Sequence, residues 1–146
     1  MVIELLVAVG ILSLVLMSSI TGLLTANRQA AAYRALTAAR IVVERNIENA
    51  LAVNFDTTNT PAILQTTSAG GAVYDDDGGG DNKVNLLVQN TSGSSIILKG
   101  TLTRIVTAEP NPQNAIIRRV TFRCDFNFRG RDYSVSMTTL RSIDDF

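Results

Sequence analysis

Acid–base or metal chemistry in this sequence would have to rest on carboxylates. There is no histidine, and Cys124 is the single cysteine. That excludes Ser-His-Asp triads, Cys-His pairs, zinc knuckles, iron–sulfur ligation and any intrachain disulfide. Asp75-Asp-Asp-Gly-Gly-Gly-Asp81-Asn gathers carboxylates on a glycine-bent loop, the arrangement a hard cation such as calcium requires, with Asp75, Asp77 and Asp81 as candidate ligands. EF-hand spacing fails, because no acid stands at the twelfth position and the middle is bare glycine. An acidic solvated turn is the favoured reading, and no cofactor is expected. Asp125 and Asp132 form the other carboxylate pair. Paired carboxylates hydrolyse glycosides at defined separations inside a cleft, but no acid or base stands at a recognisable spacing from these two. The expectation is a protein that is not an enzyme.

The elements that would position these groups fall into a helical half and a β-patterned half. From Leu5 to Asn27 the sequence carries no charge. A helix of that length crosses the hydrocarbon core of a bilayer. A secretory signal fits badly: the basic leading region is absent, Glu4 stands in its place, and no Ala-x-Ala site follows. A transmembrane anchor fits better, with Glu4 either facing the positive end of the helix dipole or finding a partner. Beyond Asn27 the helical period continues, with Ala32, Leu36, Ala39, Val43, Ile47 and Ala50 on one face and Arg34, Thr37, Arg45 and Glu48 opposite.

After the helix, turn formers around residues 54–61 and the polar stretch 65–71 predict a loop. Runs with strand character follow at 84–89, 95–107, 115–126 and 133–140, separated by Asn90-Thr-Ser-Gly93, Pro110-Asn-Pro112 and Arg129-Gly-Arg131. Thr121, Arg123 and Asp125 alternate with Phe122, Cys124 and Phe126, which marks a half-buried strand with Cys124 facing in. Short connections favour an antiparallel meander. The expected fold class is α+β: a long N-terminal helix, apolar in its first half and amphipathic in its second, packed on a small antiparallel sheet of about four strands. The segments are 1–27 apolar helix, 28–51 amphipathic helix, 52–83 loop, and 84–146 sheet. Such a sheet, roofed by one helix, leaves little room for a cleft. Asn90-Thr-Ser92 fits an N-glycosylation acceptor.

Ile3-Glu4-Leu5-Leu6-Val7-Ala8-Val9-Gly10-Ile11-Leu12, running into a long apolar helix, resembles the mature N-terminus of bacterial type IV pilins and of type II secretion pseudopilins. The resemblance covers about the first 25 residues closely and the remainder in architecture. It implies a structural subunit of a helical extracellular filament, supporting adhesion, motility or DNA uptake. A prepilin peptidase would trim a basic leader, and the pilus assembly machinery would draw the subunit from an inner-membrane pool into a homopolymer. Glu4 inherits the role of neutralising a neighbour's N-terminal amine, here that of Met1. In the family the glutamate is usually the fifth mature residue rather than the fourth, so either one residue is missing from the start or the subunit is one shorter.

The family's helix-bending proline is absent, and Ser18, Ser19, Thr21 and Gly22 occupy that region. Weak helix formers there predict a break of about one turn between Met17 and Leu24 once helices are packed in a filament. Arg118, Arg119, Arg123, Arg129, Arg131 and Arg141 invite a DNA-contacting reading. Interleaved acids and a net charge of zero favour pairing with neighbouring subunits, for instance with the 75–81 loop. The alternatives are a minor pilin or pseudopilin, periplasmic in the latter case, and a single-pass anchor carrying a periplasmic binding or sensor domain.

Overall fold

The computed structural model describes residues 2–56, 58, 60–75, 81–91, 94–110 and 116–144, with 89–91 and 94–96 described by backbone alone. Helix α1 spans Val2–Ala52. A 3-10 turn (Ala62–Leu64) follows, then β1 (Ala72–Val73), β2 (Lys83–Thr91), β3 (Ser94–Glu109), β4 (Ile117–Phe128) and β5 (Arg131–Ser142). The α+β class is as the periodicity predicts. The sheet has five strands rather than about four. The addition, β1, lies inside the stretch read as loop and pairs antiparallel with β3 through Ala72–Arg104 and Val73–Thr103. Two residues carry no alternation, and the glycines before them read as loop punctuation. The other four strands lie within two residues of their expected bounds.

All pairings are antiparallel, in the order β1-β3-β4-β5 with β2 also on β3. Register follows from local backbone chemistry. Arg129 and Gly130 both have positive φ, 54° and 77°, which gives the two-residue hairpin whose twist suits antiparallel strands. That turn sets Phe128 opposite Arg131 and so fixes every pair of the β4–β5 ladder. A bulge between Asn85 and Leu87 in β2 lets consecutive Leu86 and Leu87 both pack toward the core. Gly71, with φ +86°, leads into β1 so closely to β3 that an added Cβ would lie 2.9 Å from the Arg104 carbonyl oxygen.

The chain divides into two compact units, residues 1–34 and 35–146. The second contains the core. One stripe of α1 (Ala35, Ala39, Val43, Asn46, Ile47, Ala50) is buried against Leu102 and Val106 of β3 and Val120, Phe122, Cys124 and Phe126 of β4, with Phe55 and Leu64 closing the edge. Alanines at three of the six helix positions permit close approach of helix and sheet. Ala32 and Leu36, expected on this face, are half-buried. Asn46 is fully buried instead, and its Nδ2 donates to the Val42 carbonyl at 2.8 Å. A polar side chain tied to its own helix satisfies part of its hydrogen-bonding capacity locally, and hydropathy patterning cannot announce it.

The end of the helix is tied to the last strand by charge. Arg141 donates to the Val53 carbonyl at 3.1 Å and pairs with Asp144. The Asp144 carboxylate accepts the Phe55 N–H at 3.1 Å, and the Asp144 N–H donates to the Phe55 carbonyl at 2.7 Å. The Arg141 guanidinium, followed by the Phe55 amide, holds the Asp144 carboxyl below the ordinary aspartate range. A depressed folded-state pKa contributes stability that is present above the unfolded value and is lost as pH falls through the folded value. Thermal midpoints of the full chain are therefore expected to fall more steeply on acidification below about pH 4 than those of Asp144→Asn. Parallel profiles down to about pH 2 would show that the clamp adds nothing.

Candidate functional site

In the first unit the feature that stands out is bare apolar surface. Every large apolar side chain from Val2 to Leu24 is between 53% and 77% exposed. The most apolar 18-residue window of α1 has a mean hydropathy of 2.4 and none of it is buried. Soluble monomers rarely carry so large a contiguous apolar surface; length and composition suit a membrane span. Polar groups on this segment are handled locally. Ser13, Ser18, Ser19, Thr21 and Thr25 each donate to a carbonyl three or four residues back, at 2.8–2.9 Å. In an apolar medium that removes the cost of an unmade donor.

Glu4 lies in the first turn of α1, where the exposed amides favour a negative charge. Met1, its expected counterpart, lies outside the described residues. The chain is helical through Ser18, Ser19, Thr21 and Gly22, and an added Cβ at Gly22 would meet nothing within 4 Å. The expected break concerns helices packed together, so it belongs to the assembly and not to this single chain.

On the second unit the basic residues do not form one face. Alternation along the ladders sends Arg104, Arg118 and Arg141 to the helix-covered side of the sheet, Arg119 and Arg123 to the other, and Arg129 and Arg131 to the hairpin end. Within the chain Arg119 pairs with Glu109 at 2.7 Å, Arg123 with Asp125 at 2.9 Å, and Arg141 with Asp144. Three of the arginines expected to meet acids of neighbouring subunits thus have acids of their own. The dispersal is a consequence of a two-residue side-chain period acting on arginines at both odd and even positions.

Of the calcium candidates, Asp75 is half-buried, Asp81 Oδ1 accepts the Lys83 N–H at 2.9 Å, and Asp77 lies outside the described residues. Among the described residues no three His, Cys, Asp or Glu side chains converge on a metal position. The Asn90 side chain and Ser92 also lie outside them. Cys124 is fully buried on the inward face of β4.

The expected lack of room for a cleft concerned the helix-roofed face of the sheet; Asp125 and Asp132 border an open hollow on the opposite face. Pairing of β3 with β4 starts at Thr101–Asp125 and runs to Glu109–Ile117, so residues 94–100 of β3 and the end of β4 part from one another. Between the parted hairpins lies an open cleft of about 450 Å³, lined by Lys99, Thr101, Asp125, Asn127, Asp132 and Ser134. Asn127 and Asp132 are directly opposite across the hairpin, and Asn127 Nδ2 donates to Asp132 Oδ1 at 2.7 Å. The sequence supplied the alternation, but the point at which two ladders stop pairing depends on the whole sheet. No family model matches the chain, nor does any curated protein or solved structure.

Proposed function

We propose that this chain is a structural subunit of a helical extracellular filament, held together by packing of its N-terminal helices. The observation that carries the reading is an apolar helical surface without cover, from Val2 to Leu24, in a chain whose other unit already has a complete core. Lipid covers that surface before assembly, and identical helices cover it afterwards. Exchanging one apolar medium for another yields little hydrophobic driving force, so packing and charge must select the assembled state. In this reading Glu4 neutralises a neighbour's N-terminal amine inside the apolar sheath, where an unpaired carboxylate would cost several kcal/mol. The resemblance of residues 3–12 to pilins supplies the family context; minor pilin and secretion pseudopilin are variants of the same reading.

Glu4→Ala is expected to leave the chain in the inner membrane, as read by resistance to alkaline carbonate extraction, while sheared filaments fall to background in a cell carrying a pilus machine. Normal filament yield from this variant would defeat the reading.

A second reading, a single-pass anchor bearing a binding domain, draws on the back-bonded hydroxyls, which let one helix stand in lipid without a partner. Regular filaments built mainly of the intact chain separate the two.

A further inference from the structure

We infer that Arg28, Tyr33 and Arg34, a collar just past the apolar segment of α1, bind the headgroups of anionic phospholipids. The inference rests on the reading that lipid covers Val2 to Leu24 before assembly. From residue 5 to residue 43 the sequence holds Arg28, Arg34 and Arg40 and no acid. Tyr33 is the single aromatic residue of α1. The collar side chains are exposed, Tyr33 to 68%. Charges along a helix are ordinarily balanced by neighbours of opposite sign. These are not. The nearest acids along the helix, Glu4 and Glu44, stand 24 residues before Arg28 and ten after Arg34, outside the three- or four-residue spacing of helical ion pairs.

Position along the helix decides what the collar meets. Leu5 to Leu24 is about 30 Å of helix, the thickness of a hydrocarbon core. Arg28 then stands about 6 Å beyond that core, at headgroup level, with Tyr33 and Arg34 about 14–15 Å beyond it. Helical side chains lean toward the N-terminus of their helix, so Tyr33 and Arg34 reach back toward the membrane. A ring with an apolar body and a wet hydroxyl settles at the membrane–water boundary. An arginine lays its stem on apolar surface while its guanidinium meets phosphate. A zwitterionic headgroup already carries its own cation beside the phosphate; an anionic one leaves its charge for the arginines. Arg28 and Arg34 lie about 120° apart around the axis, so they face different lipids. A second copy packed in register fits worse, because it presents like charge at the same level.

The chain has no tryptophan, so single-tryptophan variants of the full chain in dilute lipid vesicles report depth and neighbouring lipid. Leu14→Trp reports the bilayer centre and Tyr33→Trp the collar. Leu14→Trp is expected to be quenched more by phosphatidylcholine brominated deep in its acyl chains than by lipid brominated near the headgroup. Tyr33→Trp should show the reverse order. With brominated phosphatidylglycerol as the minor lipid in unbrominated phosphatidylcholine, quenching of Tyr33→Trp should show a preference of about fivefold or more over brominated phosphatidylcholine at the same fraction. Adding Arg28→Gln and Arg34→Gln should abolish that preference and leave the Leu14→Trp profile unchanged. Roughly 0.5 M salt should shrink it. If no lipid quenches Leu14→Trp, the membrane reading fails and the inference falls with it. If Leu14→Trp reports the bilayer centre while Tyr33→Trp shows no lipid preference, or keeps it without the two arginines, the inference alone is overturned. Quenching of Tyr33→Trp that follows chain density and not lipid charge would assign the arginines to a second copy, and overturn it as well.

Discussion

Deletion of residues 5–25 is expected to turn a membrane-retained chain into a folded, soluble monomer. Thirteen large exposed apolar side chains lie between Leu5 and Leu24. At roughly 1.5 kcal/mol or more each, their preference for an apolar medium is on the order of 20 kcal/mol, which fixes the intact chain in lipid, in detergent or against other helices. The deletion removes none of the core, because every buried residue described has a number of 35 or above. The shortened chain should pass to the supernatant on fractionation, elute as one copy, and melt cooperatively. Retention in the membrane fraction would show that other surfaces bind lipid; loss of cooperative melting would show that the first unit is needed for folding. The outcome is independent of filament formation, so it tests the two-unit architecture separately from the assembly reading.

The largest single-residue effect on stability is expected at Phe122. Its side chain is fully buried at the middle of β4, with the Tyr74 ring against it edge-on at 5.2 Å and 66°. Phe122→Ala removes the ring and leaves a cavity that the flanking strands cannot close, because Val120 and Cys124 on either side are themselves fully buried. Such truncations cost about 3–5 kcal/mol, a large share of the 5–15 kcal/mol typical of a domain. A matched control is Leu140→Ala, where the side chain is 58% exposed and the expected change is within about 0.5 kcal/mol. Chemical denaturation of the full chain in micelles measures both. A Phe122→Ala cost under about 1 kcal/mol would show that this ring does not anchor the core.

Local period determined most of this architecture from the sequence. A charge-free run from Leu5, continued by a 3.6-residue repeat to Ala50, can bury its apolar positions only as a helix. The alternation of Thr121 to Phe126 can do so only as a strand with Cys124 and Phe122 inward. Those inferences need no knowledge of neighbours, because the direction of a side chain along a helix or strand follows from backbone geometry alone. The tertiary structure decided what depends on two segments meeting. It added β1, too short for any pattern to show, and put Asn46 in the core where hydropathy favoured Ala32 and Leu36. It gave Arg119, Arg123 and Arg141 acids from their own chain. It also brought Asp125, Asn127 and Asp132 into one cleft with Lys99, because the positive-φ turn at Arg129–Gly130 sets one ladder while the other ends at Thr101. Where a ladder stops, and which charge faces which across it, is settled by the summed packing of all the strands and the helix on their inner face; no single segment carries that information.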